Sequence, residues 1–308
     1  MNFVPMAAKE ASRTSQDHTL VALYQVMPAH AWKLKMRTLE WQERPLVMGV
    51  LNVTPDSFSD GGRYLDPEQA LDRALEMEAE GADILDLGGE STRPGATPIS
   101  EEVELARILP IVRRLRGRLT IPLSIDTWKA SVAVAALKEG AEIINDISAG
   151  RWDHLLWPAV AQYQPGYVLM HALDRPTVMQ KEPHYLDPSA EIADFLGKFL
   201  ARADENGIAL ESIVCDPGIG FGKTPAHNLA ILRDLESFRG LRRPILVGLS
   251  RKSFLKLIGG SEPLEITNEL AHMWAAARGA AIWRVHDIPA ALRTARLAAA
   301  FGRGANIA

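Results

Sequence analysis

One pattern recurs through this chain and restricts its fold more than any other: a short apolar run, a polar or glycine-rich loop, then a helical repeat ending near glycine. The runs are LVMGVL (46–51), ADILDLG (82–88), IPLSID (121–126), AEIINDI (141–147), GYVLMH (166–171), SIVCDPG (212–218), PILVGLS (244–250) and AIWRVHD (281–287). Runs this short, bounded by turn residues, have strand length, and the 3.6-period segments between them have helix length. The helix candidates carry their own end signals. DPEQALDRALEMEAEG (66–81) offers Asp66 as a cap, Pro67 at the first helical position and Gly81 as the stop. SEEVELARILPIVRRLRG (100–117) opens with Ser100 ahead of acidic residues that suit a positive helix N-terminus. Further helices are read over 129–140, 152–163, 188–207, 225–238, 263–279 and 289–302.

Alternation of this kind implies parallel strands joined by right-handed crossovers, and nearly continuous apolar strands imply a sheet buried on both faces. Eight units in roughly 250 residues fit a closed (β/α)8 TIM barrel, with a doubly wound open sheet as the other arrangement. No linker rich in Pro, Gly or Ser divides the chain, so residues 31–308 are expected to form a single barrel domain. Ahead of the barrel, WKLKMRTLEW (32–41) alternates as a short hairpin does. Residues 1–30 show no clear period and are expected to be a mobile N-terminal extension.

A net charge of -4 leaves no basic footprint, which argues against nucleic acid or an anionic membrane as the main partner. The N-terminus lacks a charged start followed by an apolar core, and no stretch approaches about 18 consecutive apolar residues, so the expected compartment is the cytoplasm. Cys215, the single cysteine, lies in the apolar run SIVCD and reads as a buried, inert thiol in a reducing environment.

In parallel barrels the chemistry gathers at the C-terminal ends of the strands. Here every one of those ends is marked: Asn52; Asp86 with Glu90, Thr92 and Arg93; Asp126; Asn145 with Asp146; Met170 with His171; Asp216; Ser250 with Arg251 and Lys252; Arg284 with His286. A period of two puts Arg284 and His286 on one side of their strand, and Ser124 with Asp126 on one side of theirs. The set divides by charge. Asp126, Asn145 and Asp216 offer acceptors for a ligand with a row of N–H donors. Arg93, Lys252, Arg284 and His286 offer donors for an anion, and loops seven and eight are where barrels commonly hold phosphate.

Two tempting motifs fail. DPGIGFGKT (216–224) has Pro217 where G-x-x-x-x-G-K-[ST] needs glycine, and its G-x-G-x-G spacing is not G-x-G-x-x-G. The better reading is a tight turn that lets backbone pass close to a bound ring, with Phe221 available to pack on it. There is no H-E-x-x-H and no Cys/His cluster, so zinc is not indicated. Asn52 offers a carbonyl oxygen of the kind Mg²⁺ accepts when waters and phosphate oxygens complete its shell.

Taken together, NVTPDSFSDGG, GGESTRPGA, SIDTWKA, INDIS, DPGIGFGK, GLSRKSF and RVHD, in this order over about 46–297, resemble the dihydropteroate synthase family of pterin-binding TIM barrels. The resemblance implies condensation of a dihydropterin pyrophosphate with p-aminobenzoate in tetrahydrofolate biosynthesis, Mg²⁺ as cofactor and a homodimer through C-terminal helices. It implies a pterin pocket of Asp126, Asn145, Asp216 and Lys252, with Met170 and Arg284 against the ring. It implies that Asn52, Arg93, Arg284 and His286 hold the pyrophosphate, with Asn52 on the metal, and that Thr92, Arg93, Pro94, Phe58, Phe221 and Ser250 surround p-aminobenzoate. Catalysis would rest on Asn52, Arg93, Lys252, Arg284 and His286, with residues 54–62 as a closing lid.

One segment departs from the family's pattern. Where the family usually writes LMHMRGTP, this chain has LMHALDRPTVMQ, with Ala172, Leu173 and Asp174 in place of Met, Arg and Gly, so that loop is expected to be displaced or to carry a different contact. A non-catalytic or methyl-transferring pterin-binding barrel would share the acceptors but has no need of the cations. A phosphate-binding barrel isomerase would share the cations but leaves the acceptors unexplained.

Overall fold

The computed structural model describes residues 30–41, 44–54 and 67–302. The chain opens with an antiparallel hairpin, β1 (Ala31–Lys33) and β2 (Thr38–Glu40), in which Ala31 faces Glu40. Eight parallel strands follow: β3 (Leu46–Asn52), β4 (Ile84–Gly88), β5 (Leu123–Asp126), β6 (Ile143–Asp146), β7 (Gly166–Met170), β8 (Ile213–Asp216), β9 (Ile245–Val247) and β10 (Ala280–Val285). They neighbour one another in chain order, and β10 returns to β3, with Ile282 beside Leu46 and Val285 beside Gly49. That last pairing closes the cylinder and excludes the open sheet.

Helices α1 (Pro67–Ala79), α2 (Glu101–Leu115), α3 (Ala130–Lys138), α4 (Leu156–Tyr163), α5 (Pro188–Glu205), α6 (Pro225–Arg233), α7 (Ser253–Gly259), α8 (Leu264–Ala277) and α9 (Ile288–Gly302) join the strands. Their starts are set by side chains. Ser100 accepts from the Val103 amide, Asp187 accepts from Ser189 and Ala190 ahead of Pro188, and Thr224 and His227 cap each other reciprocally.

Two segments differ from the sequence reading. The helix expected over 225–238 stops at Arg233, and a 3₁₀ turn over Leu235–Leu241 takes its place. Apolar residues three apart, Leu235, Phe238 and Leu241, suit three residues per turn, and the first two are fully buried. The helix expected from 152 begins only at Leu156, because Asp153 is occupied as a cap: one carboxylate oxygen accepts from the Leu155 amide and the other from Ala130 at the start of α3. The expectations for residues 1–29, for Asp66 as a cap, for Phe58 and for the lid beyond Thr54 fall outside the described residues. Among the described residues, no helix is long and apolar enough to cross a membrane.

Strand alternation divides the core in two. Val47, Leu85, Leu87, Ile125, Ile144, Leu169, Val247 and Trp283 turn outward into the layer under the helices. Met48, Ile84, Ile143, Val168, Val214, Leu246 and Ile282 turn inward and fill the lumen. The hairpin plugs this lumen from the N-terminal ends of the strands. Trp32, Leu34 and Trp41 join the inner cluster, and the indole of Trp32 donates to the carbonyl of Ser212 at 2.6 Å. Gly166 makes room for the plug, since a Cβ there would lie 2.3 Å from Leu34 Cδ2.

Further along the same strands the inward positions become polar: Asp86, Ser124, Asp126, Asn145, Asp216 and Arg284. The cylinder is therefore dry and packed at one end and polar at the other, so the polar groups stand on a rigid base. Trp32→Ala is expected to lower unfolding free energy by about 3–5 kcal/mol, measured by urea denaturation, while substrate KM values of the folded variant stay at wild-type levels.

Candidate active site

At the C-terminal mouth of the barrel lies a cavity of about 900 Å³, the size of a site for a drug-sized ligand. Its walls bring together Asn52, Thr92, Arg93, Pro94, Asp126, Asn145, Met170, Asp216, Phe221, Ser250, Lys252, Arg284 and His286, drawn from strands and loops far apart in sequence. Arg284 and His286 share a side, as the period of two requires, and that side is the mouth.

Arg284 organises the floor. Its Nε donates to Asp86 Oδ2 at 2.6 Å and its terminal nitrogen to Asp126 Oδ2 at 2.7 Å. Burial works against its charge, but Asp86 and Asp126 outweigh burial and raise its pKa. Asn145 donates Nδ2 to Asp86 at 3.1 Å, which turns its own carbonyl oxygen away from that contact. The second oxygens of Asp86 and Asp126 are buried and take no hydrogen bond among the described residues. Burial pushes the Asp126 carboxyl up, and Arg284 opposes that shift.

The sequence marked Asp86 as a strand end but gave it no part in either ligand set, although it touches more of the site's polar groups than most of them. Its only sequence signal was its place two residues before Gly88 on the inward side of β4. Its partner Arg284 lies 198 residues away.

The opposite wall carries Asp216, whose Oδ1 accepts from the Gly218 amide at 2.6 Å. The turn after it needs glycine. Gly218 has φ +66°, and a Cβ there would lie 1.8 Å from the His171 carbonyl oxygen, so the loop passes directly over the end of β7. Burial lifts the Asp216 carboxyl to about 6, opposed by the Gly218 amide and then by Lys252 and Lys223. Lys252 stands with its ammonium 4.5 Å above the Phe221 ring, and burial lowers it to about 8 against the pull of Asp216.

Lys223, which sequence reasoning used only to reject a P-loop, also lines the cavity. It is buried, and it donates to the Phe221 carbonyl at 3.0 Å and approaches His171 Nδ1 at 3.0 Å, pinning the glycine-rich loop to β7.

Two marked strand ends face away from the mouth. Asp146 accepts from the amides of Ser148 and Gly150 and from the Tyr167 hydroxyl, and His171 packs its ring edge-on against Phe195. Alternation explains both, since their neighbours Asn145 and Met170 take the inward positions.

On the cationic side, Ser250 Oγ accepts from the His286 amide at 3.3 Å and lies 3.1 Å from His286 Nδ1. Burial, then Arg251, Arg284, Arg93 and Lys252, hold the imidazole down at about 3, so it is neutral near pH 7. Four surrounding cations make this a site for an anion.

The donor set also bears on a metal. Among the described residues, no group of three His, Cys, Asp or Glu side chains could cage an ion. Asn52 faces the cavity from the end of β3, its side-chain carbonyl oxygen above Gly88. That single neutral oxygen suits Mg²⁺ that keeps its waters and binds chiefly through substrate oxygens.

A family model described as pterin binding enzyme matches residues 48–286. A dihydropteroate synthase from Mycobacterium leprae is 44% identical over 267 residues, which is 83% of this chain and 93% of that protein. The chain belongs to the dihydropteroate synthase family. Two solved structures of the family resemble it closely. Dihydropteroate synthase from Xanthomonas albilineans with 4-aminobenzoic acid has 41% identity and a TM-score of 0.81, covering 89% of this chain and 98% of that one. The same enzyme in complex with 7,8-dihydropteroate gives 38% identity and a TM-score of 0.78, covering 89% and 99%.

Asp216 binds its proton more tightly in the folded family member, at about 6, than at its ordinary value of 3.8. The contribution of this carboxyl to stability therefore falls as pH rises from about 4 to about 6 and stays lower above that range. Asp216→Asn is expected to exceed wild-type stability by about 1–3 kcal/mol at pH 7, with the gap closing toward pH 4. Urea melts at the two pH values measure this, and an Asn variant no more stable than wild type at pH 7 removes burial as the cause.

Proposed function

We propose that this chain condenses 6-hydroxymethyl-7,8-dihydropterin pyrophosphate with p-aminobenzoate, giving 7,8-dihydropteroate and pyrophosphate in tetrahydrofolate biosynthesis. One observation carries the reading: buried acceptors and a group of cations share a single cavity, joined where Arg284, one of the cations, donates to Asp86 and Asp126. Relatives that bind 4-aminobenzoic acid and 7,8-dihydropteroate support it.

In this reading the ionised Asp216 meets the pterin's amino-pyrimidine edge, which presents two parallel N–H donors much as a guanidinium does. Asp126 and Asn145 accept from the remaining ring N–H groups, Lys252 donates to the ring carbonyl, and Met170 covers a face. Arg93, Arg284 and His286 hold the pyrophosphate. Thr92, Pro94, Phe221 and Ser250 surround p-aminobenzoate, together with Phe58, which lies outside the described residues.

The carbon–oxygen bond to pyrophosphate breaks, its electron pair leaving with the diphosphate, and the electron-rich pterin supports the cationic methylene. The aryl amine then attacks that carbon and gives up a proton. No strong base is required. The chain's own contribution is charge stabilisation on the leaving group, which Arg284 supplies from a fixed position and His286 supplies by taking a proton once the anion is bound. Mg²⁺ held at Asn52 adds further charge neutralisation when bound.

A pterin-binding barrel that only carries or methylates its ligand has no use for Arg93, Lys252, Arg284 and His286 together, which favours the synthase. A homodimer and a cytoplasmic location belong to the same reading. Leu257, Leu270, Trp274 and Phe301 are exposed on α7, α8 and α9, an apolar face fit for a second copy. The buried thiol of Cys215 suits a reducing compartment.

Pyrophosphate release from purified protein is expected to require both substrates, and release with either one absent refutes the assignment. Arg284→Ala is expected to lower kcat by about 10²–10³. The pH profile of kcat/KM is expected to fall below about 6, as Asp216 protonates and loses its hold on the pterin, and above about 8, as Lys252 loses its charge.

A further inference from the structure

The loop after β7, where the sequence leaves the family's usual pattern, makes contacts that bear on the aryl-amine side of the cavity. Arg175 in this loop forms no ion pair with any described residue. Its guanidinium instead lies 4.9 Å from the Trp128 ring and 5.4 Å from the Trp152 ring, and these two indoles meet edge to face at 5.8 Å. A guanidinium held over two indoles is a stiff, half-desolvated clamp.

The clamp is tied to both ends of the loop that follows β4. At the base of that loop, Glu90 accepts from the Trp128 indole at 3.0 Å and from the buried ammonium of Lys129 at 3.0 Å. At its tip, the Gly95 amide donates to the carbonyl of Pro176, the residue next to Arg175, at 2.8 Å. Between these ties stand Thr92, Arg93 and Pro94, which face the large cavity. A small pocket between the two loops is walled by Thr92 and Ala96 on one side and by Arg175 and Pro176 on the other, so the segments pack directly.

We propose that Arg175 is a positioning residue: by clamping Trp128 and Trp152 it fixes the loop carrying Thr92, Arg93 and Pro94, and through that loop it sets the affinity for p-aminobenzoate. Arg175 touches neither substrate. The assignment of the aryl amine to this wall rests on the function proposed above, whereas the clamp itself rests on the contacts alone.

Two measurements on Arg175→Ala separate these layers. Amide hydrogen exchange over residues 91–98 is expected to quicken, the Gly95 amide most of all, while the barrel strands exchange as in wild type. Unchanged exchange there overturns the clamp whatever the activity. In steady-state kinetics, KM for p-aminobenzoate is expected to rise about fivefold while KM for the dihydropterin pyrophosphate and kcat hold. Arg175→Lys, which keeps a cation over the indoles without the guanidinium's planar group, is expected to recover part of that loss. If both KM values rise together, or neither moves, the specific link to the aryl amine is overturned. A wild-type protein with no turnover at all refutes the proposed function, and the exchange experiment still decides the clamp.

Discussion

A guanidinium held between two buried carboxylates fixes the geometry of this barrel's mouth. Asp86 on β4, Asp126 on β5 and Arg284 on β10 converge at 2.6 and 2.7 Å, and without the cation the two carboxylates would be left to repel each other out of reach of water. Removing one partner of a buried ionic group costs about 3–5 kcal/mol, because the other is stranded. The same contact joins the two sets of side chains. Asp126 belongs to the acceptors, Arg284 to the cations, and Asn145 is oriented by Asp86, so acceptors and cations stand on one rigid frame.

The frame stands because the opposite end of the cylinder is plugged. Trp32, Leu34 and Trp41 seal the lumen below the polar level, and Gly166 yields the space they need. A well-packed base lets the upper half hold groups that folding alone would disfavour. Asp216 and Asp126 are pushed up by burial, and Lys252, Lys223 and His286 are pushed down. Clusters of this kind mark places where stability has been given up for binding.

Much of this was legible in the sequence. Eight short apolar runs alternating with helical repeats named the barrel, and polar residues at every strand end named its active mouth. Alternation put Arg284 and His286 on one side of their strand, and only the closed barrel shows that this side is the mouth. It also explains why Asp146 and His171 serve the outer layer, a distinction that listing strand ends alone did not draw. Asp86 was marked as a strand end, but its role was hidden because it depends on an arginine at the far end of the chain. Lys223 was hidden because its acceptors are backbone carbonyls and a histidine on another strand. The helix over 225–238 broke where a spacing of three replaced the helical period. The departure at Ala172, Leu173 and Asp174 was visible as a departure, but the contact of Arg175 with Trp128 and Trp152 exists only once three loops meet in space.

If Arg284 carries the influence of Asp86 to the reaction, the two residues are energetically coupled. A double-mutant cycle on kcat/KM with Asp86→Asn, Arg284→Lys and the pair tests it most directly. The account predicts a coupling energy above about 1 kcal/mol, since either change alone already breaks the shared contact. Effects that add to within about 0.3–0.5 kcal/mol would show the two residues acting independently and would contradict it.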